Sequence, residues 1–234
     1  IGLISTFGIL NREKELHIHG PKGIKEVINI QLKHSKSYVK YKIIFHELNS
    51  TESELIFEDE KVKVYTIPLN HRVYTNGFLF KEKEKSRKIN ISAVKKFKEI
   101  DICDYNNLKA GKDFKLDSGD VIKNSELTCN PEKPLSYAYC SDTSYKPTII
   151  EMIEGADLLY HESTFLTDKE DLASKTGHST AKQAATIAKK ANVKKLVLGH
   201  YSSRYKDISL FKKEAQEVFK NVSLAETGRV YFSK

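Results

Sequence analysis

Tryptophan is absent from this chain, and methionine occurs once, at Met152. Cysteine is scarce: Cys103, Cys129 and Cys140 are odd in number and show no Cys-x-x-Cys spacing. That excludes a disulfide framework of the secreted kind and points to a reducing compartment. No apolar run approaches the roughly 20 residues of a membrane span. No signal-peptide pattern opens the chain either. A cytoplasmic protein without a membrane partner is therefore expected. The first residue is Ile1 rather than Met, so a segment upstream is expected, and with it an N-terminally incomplete domain.

The chain is long enough for one large domain or two small ones, with 234 residues. Lys and Arg number 39 against 31 Asp and Glu, a net charge of +8. This balance favours a polyanionic partner. Leu3, Ile4, Phe7 and Leu10 are spaced for one helix face. Residues 15–19 read as a strand ending at Gly20-Pro21, and Ile24, Val27 and Ile28 as an amphipathic helix to about Leu32. Three strands are expected at 41–48, 54–57 and 62–67, and a fourth at 77–80.

Residues 81–128 are strongly basic at first and are expected to form an arm or insertion with solvated charge, in which 109–126 reads as polar strands and turns. From Leu135 strand and helix alternate. "LSYAY", "ADLLYHEST" and "VKKLVLGHYS" are strands. Pro147 is placed to start a helix carrying Ile149, Ile150 and Ile153. Ala181, Ala184, Ala185 and Ala188 mark a helix whose start carries the Thr180/Gln183 capping box. A further helix carries Phe211, Ala215, Val218 and Phe219, and strand pairing is expected around Thr227-Gly228. This alternation implies a layered α/β architecture.

Four chemistry-bearing residues share one placement. His71, Asp142, His161 and His200 each follow an apolar strand, at the edge where α/β sheets bind ligands. One histidine so placed is more often structural than a ligand; four together suggest a metal site, since imidazole and carboxylate suit a borderline cation. His178 precedes a helix start, where free N–H groups favour phosphate. It could touch a phosphate, protonate a leaving oxygen, or serve only the cap.

The stretches "PLNHRVYTNGF", "YCSDTSY", "ADLLYHESTF", "TGHSTAKQAA" and "LVLGHYSSRY" resemble, in order, the motifs of ribonuclease Z, the tRNA 3′-processing endonucleases of the metallo-β-lactamase superfamily. "IGLISTFGILNR" resembles the segment after that family's His-x-His-x-Asp-His signature. The resemblance spans nearly the whole chain. It implies a four-layer αββα sandwich with two zinc ions at the sheet edge, and a homodimer acting on precursor tRNA to leave a 3′-hydroxyl. It further implies metal ligation by His71, Asp142 and His200, a catalytic role for His178 beside the scissile phosphate, and phosphate contact by Arg204. His161 and Glu162 would support the site without ligating.

Two departures from the family pattern qualify these expectations. The signature is absent: after His17-Ile18-His19-Gly20 the positions of its Asp and His hold Pro21 and Lys22, so this stretch is a decoy. Three of about seven ligands remain, and the chain alone is expected to be inactive. The basic arm holds no proline and only Gly111 and Gly119, unlike the family's Gly/Pro-rich tip. The alternatives are a non-catalytic tRNA-binding remnant and a hydrolase of another phosphodiester or small molecule.

Overall fold

The computed structural model describes residues 1–232. The chain forms two compact units, one of residues 1–57, 64–79 and 137 onward, the other of residues 58–63 and 80–136.

The first unit begins with α1 (Gly2–Ile9), β1 (Leu16–Pro21), α2 (Ile24–His34) and β2 (Ile43–Leu48). β1 and β2 pair in parallel, with His19 opposite His46. Period-two alternation puts Leu16 and Ile18 on one face, where they pack with Ile43 and Phe45 against Ile4, Ile28 and Tyr41. His17 and His19 take the other face and stack with His46, at ring-centroid distances of 5.2 and 4.3 Å. Of the helix face expected in α1 only Ile4 is buried, while Leu3 and Leu10 are exposed.

β3 (Leu55–Glu58), β4 (Val62–Pro68) and β5 (Asn76–Glu82) follow. The chain then enters the second unit, with β6 (Lys88–Ile89), α3 (Ile91–Val94), α4 (Tyr105–Lys109), β7 (Phe114–Lys115), β8 (Val121–Ile122), α5 (Asn124–Leu127) and β9 (Thr128–Cys129). β6 pairs with β9 and β7 with β8, both antiparallel. The polar strands and turns expected over 109–126 are present as the β7–β8 pair and its turn. The segment also wraps short helices around a core of Val94, Ile100, Leu108 and Leu127, which the sequence reading does not foresee. The buried Asn124 amide donates to the carbonyls of Leu108 and Lys112, satisfying backbone that this small core cannot pair otherwise.

The chain returns through β10 (Ser136–Cys140), β11 (Leu158–Glu162), α6 (Glu170–Thr176), α7 (Ala181–Lys190), β12 (Leu196–Gly199), α8 (Ser209–Gln216) and β13 (Val222–Leu224). One seven-stranded sheet has the order β13-β12-β11-β10-β5-β4-β3. β10 to β13 run parallel, so their carboxyl ends share an edge. β11, β12 and β13 are joined through helices, as parallel neighbours require. The buried alanines of α7 let this helix approach the sheet closely, and Leu159, Leu196, Leu198 and Phe211 complete the core. Each of these large side chains contributes about 1.5–3 kcal/mol by burial.

Two local expectations are corrected. The helix foreseen from Pro147 is a 3-10 turn, Pro147–Ile149, running into turns that keep Ile149 and Ile153 buried. Lys146 supplies no cap there, and Gly155 soon reverses the chain at φ +66°. At the other end, β13 pairs in parallel with β12. Thr227-Gly228 is a turn without a strand partner among the described residues.

Candidate metal centre

The carboxyl edge of the parallel strands gathers the polar residues. Asp142 follows β10 and His200 follows β12, and both adopt left-handed backbone conformations, φ +57° and +59°. For residues other than glycine that conformation costs about 1–2 kcal/mol. It turns each side chain out of the strand line. Asp142, Glu162, His178 and His200 place one donor atom each within 4.8 Å of one another. His71, after β4, lies outside that group, but its ring stands 5.2 Å from that of His178, and His178 is 5.2 Å from His200.

Hydrogen bonding fixes how each imidazole presents itself. His178 Nδ1 is 2.7 Å from Glu162 Oε1, an oxygen that can only accept from it, so Nδ1 carries the hydrogen. His71 Nδ1 is 2.9 Å from the Gly177 carbonyl oxygen, with the same consequence. His200 Nδ1 is 2.8 Å from Thr164 Oγ1. That hydroxyl gives its own hydrogen to Glu162 Oε2 at 2.7 Å, so it accepts from His200. In all three rings Nε2 is left as the lone-pair nitrogen of the neutral form. This is the arrangement in which histidines ligate metals.

Glu162 is the hub. It is fully buried. Its Oε1 accepts from Thr143 N and His178, and its Oε2 from Thr164 N, Thr164 Oγ1 and Ser179 N. Five donors occupy its lone pairs, so it orients neighbours and has no oxygen to spare for an ion. His200 Nε2, by contrast, faces Asp142 Oδ1 at 3.1 Å. A lone pair and a carboxylate oxygen at that distance repel unless positive charge lies between them, and a proton or a metal ion supplies it. The donor set of imidazole and carboxylate therefore fits a borderline divalent cation.

Over residues 131–201 the chain matches the β-lactamase superfamily domain. It is 45% identical over 226 residues to the ribonuclease Z of Bacteroides fragilis (strain YCH46), covering 97% of this chain and 74% of the relative. The chain belongs to the ribonuclease Z family. A second ribonuclease Z, from Cytophaga hutchinsonii, is 43% identical over 233 residues, 99% of this chain and 74% of that protein. The short form of human tRNase Z superposes with a TM-score of 0.60 at 23% identity, over 96% of this chain and 70% of that one. The metallo-β-lactamase fold protein YhfI from Bacillus subtilis gives 0.61 at 18% identity, over 99% and 71%. These likenesses show the metallo-β-lactamase fold.

Two of the expected site residues of this ribonuclease Z family member, His161 and Arg204, are not part of that donor group. His161 was grouped with the strand-end residues, but it sits within β11, opposite Cys140 and Leu198. It is fully buried, and its Nδ1 donates to the Glu162 carbonyl. Burial lowers its pKa, so the ring is neutral, and the partnerless Nε2 is a lone pair rather than a stranded N–H. Arg204 is exposed, and among the described residues its guanidinium hydrogen-bonds the Ser202 hydroxyl alone, at 3.4 Å. His17 and His19 take no part in the donor group.

Sequence reading passed over Thr143, Thr164 and Ser179, the residues that hold Glu162. A signal was present: Asp142, Glu162 and His178 are each followed within two positions by a hydroxyl residue. Thr143 also ties two loops together, accepting from Asn70 N at 3.1 Å while its carbonyl accepts from Ser179 Oγ at 2.7 Å.

Proposed function

We propose that this protein is a zinc-dependent endoribonuclease that removes 3′ trailers from precursor tRNA and leaves a 3′-hydroxyl. The observation that carries the reading is the common tautomer of His71, His178 and His200, each held with Nε2 free by a hydrogen bond at Nδ1. In this reading His71, Asp142 and His200 are metal ligands. Bound zinc would polarise the phosphodiester and activate water.

His178 is the proton carrier. Its Nε2 is free, and the Glu162 carboxylate behind Nδ1 stabilises the imidazolium. Attack of water at phosphorus breaks the bond to the 3′-oxygen of the tRNA. That oxygen takes a proton from His178 once Nε2 has picked one up from solvent, the attacking water gives its own proton up to solvent, and the phosphate stays on the trailer. Arg204, on the loop after His200, contacts a backbone phosphate of the substrate. His161 supports β11 beneath Glu162. The active form is a cytoplasmic homodimer, and the basic arm at about 81–128 adds sequence-independent attraction for RNA.

Two four-coordinate ions need more donors than three residues supply, and this chain spans 74% of its Bacteroides fragilis relative. Residues 1–234 alone are therefore expected to hold zinc weakly and to cut poorly. The test is cleavage of a trailer-bearing precursor tRNA by the zinc-loaded protein, with end-group analysis. A 3′-hydroxyl tRNA product that is lost in Asp142→Ala supports the reading. Hydrolysis of a generic phosphodiester without competition by tRNA would move it to the small-molecule hydrolases.

A further inference from the structure

Beside His71 and His178 opens a cleft of about 620 Å³, also lined by Asn70, Arg72, Ser144, Ser174, Lys175 and Thr176. Its lining holds two cations and no carboxylate. Arg72 and Lys175 are both exposed, and among the described residues neither forms an ion pair. The remaining walls are hydroxyls and one amide, groups that donate to phosphate and ribose oxygens. Asn70 Nδ2 and Ser144 Oγ, 2.7 Å apart, brace one wall. Opposite, α6 ends at Gly177, φ +76°, so Ser174, Lys175 and Thr176 form its last turn. The partial negative charge of that helix end is about half an electron. Lys175 offsets it, and Arg72 is left uncompensated.

We propose that this cleft is a phosphate subsite for the RNA strand: Arg72 and Lys175 each bind one of the successive backbone phosphates next to the scissile one. The proposal rests on the ribonuclease reading and deepens it. A single-stranded polyanion fits this cleft better than an apolar or cationic ligand does. Two cations with hydroxylated walls match successive phosphates and sugars. Arg offers a planar fork to phosphate oxygens and Lys a mobile point charge.

The test is binding of a short single-stranded RNA oligonucleotide by fluorescence anisotropy across a salt series. It compares the wild-type protein with Arg72→Ala, Lys175→Ala, the double variant, and Lys190→Ala, an exposed lysine on α7. Each cation that neutralises a phosphate contributes about 0.7 to the slope of log K against log salt for single strands. The slope should fall by about 0.7 in each single variant and about 1.4 in the double, with no change in Lys190→Ala. Unchanged slopes, or an equal fall in Lys190→Ala, overturn the subsite. Failure of the parent reading shows separately: with zinc-loaded wild-type protein in excess over precursor tRNA no trace of 3′-hydroxyl product would form, whatever the slopes do. Melting curves of the variants exclude loss of fold, since neither side chain is buried.

Discussion

His200 aims Nε2 at the Asp142 carboxylate across 3.1 Å while its Nδ1 is committed to the Thr164 hydroxyl. Thr164 thereby sets the state of a residue 36 positions away in the sequence. Replacing it by valine keeps the branched shape and removes the hydroxyl, freeing His200 to rotate or change tautomer. Loss of such an outer hydrogen bond weakens metal affinity about 10–100-fold. Thr164→Val should show this in a chelator-competition titration with zinc. An unchanged affinity would mean that the hydroxyl does not orient His200.

Gly177 holds two constraints at once. Its φ is +76°, and a Cβ built on it would stand 2.8 Å from His71 Nδ1, the atom that donates to its own carbonyl. Gly177→Ala should cost about 1–2 kcal/mol from backbone conformation alone, and push the His71 ring away. For a chain of this size each kcal/mol lowers Tm by about 2–4 °C. Calorimetry should show that fall together with weaker zinc binding. A fall in Tm with zinc affinity intact would separate the turn from the ring.

Much of this was legible in the sequence. Strand ends at Asn70-His71, Ser141-Asp142 and Gly199-His200 follow from apolar runs that stop at polar residues, and the capping box at Thr180 and Gln183 stands where the spacing put it. What the sequence hid is what depends on the third dimension. Nothing local tells that His161 is buried inside its strand while Glu162, its neighbour, gathers five donors from three separate segments. The Pro147 segment had helical spacing but no cap, and tertiary burial of Ile149 and Ile153 is satisfied by turns. The small core of residues 80–136 was masked because its apolar residues, Val94, Ile100, Leu108 and Leu127, lie far apart among lysines.

The three thiols should divide sharply. Cys103 and Cys129 are exposed, whereas Cys140 is fully buried in β10 and burial pushes its pKa up to about 12. The thiolate is the reactive form. Alkylation near pH 8 should modify Cys103 and Cys129 in the folded protein and reach Cys140 only in denaturant, as counted by intact mass. Labelling of Cys140 under native conditions would place an opening motion at β10.

Acid stability should carry the mark of His161. Burial holds its folded pKa below the ordinary 6.5. The unfolded chain therefore binds a proton below that pH which the fold refuses, and stability falls as pH drops from about 6.5 toward the folded pKa. A single proton gives a slope of at most about 1.4 kcal/mol per pH unit. Urea unfolding of the wild-type protein between pH 7 and 5 should be steeper in pH than that of His161→Gln. Parallel slopes would show that His161 takes up its proton without unfolding.

β5 and β10 are neighbours in the sheet, although the excursion of residues 83–135 separates them in the chain. At its base Glu82 N donates to the Leu135 carbonyl at 2.9 Å, and Leu135 N donates back to the Glu82 carboxylate at 3.1 Å. Such a clasp makes the position a socket. Doubling the length of what is plugged in costs only about 0.6 kcal/mol of closure entropy, and an insert with its own core brings its own stability. Over evolutionary time one appendage can thus be exchanged for another at this point without re-registering the strands that carry His71 and Asp142. Diversification of the inserted segment is thereby uncoupled from the register of those strands.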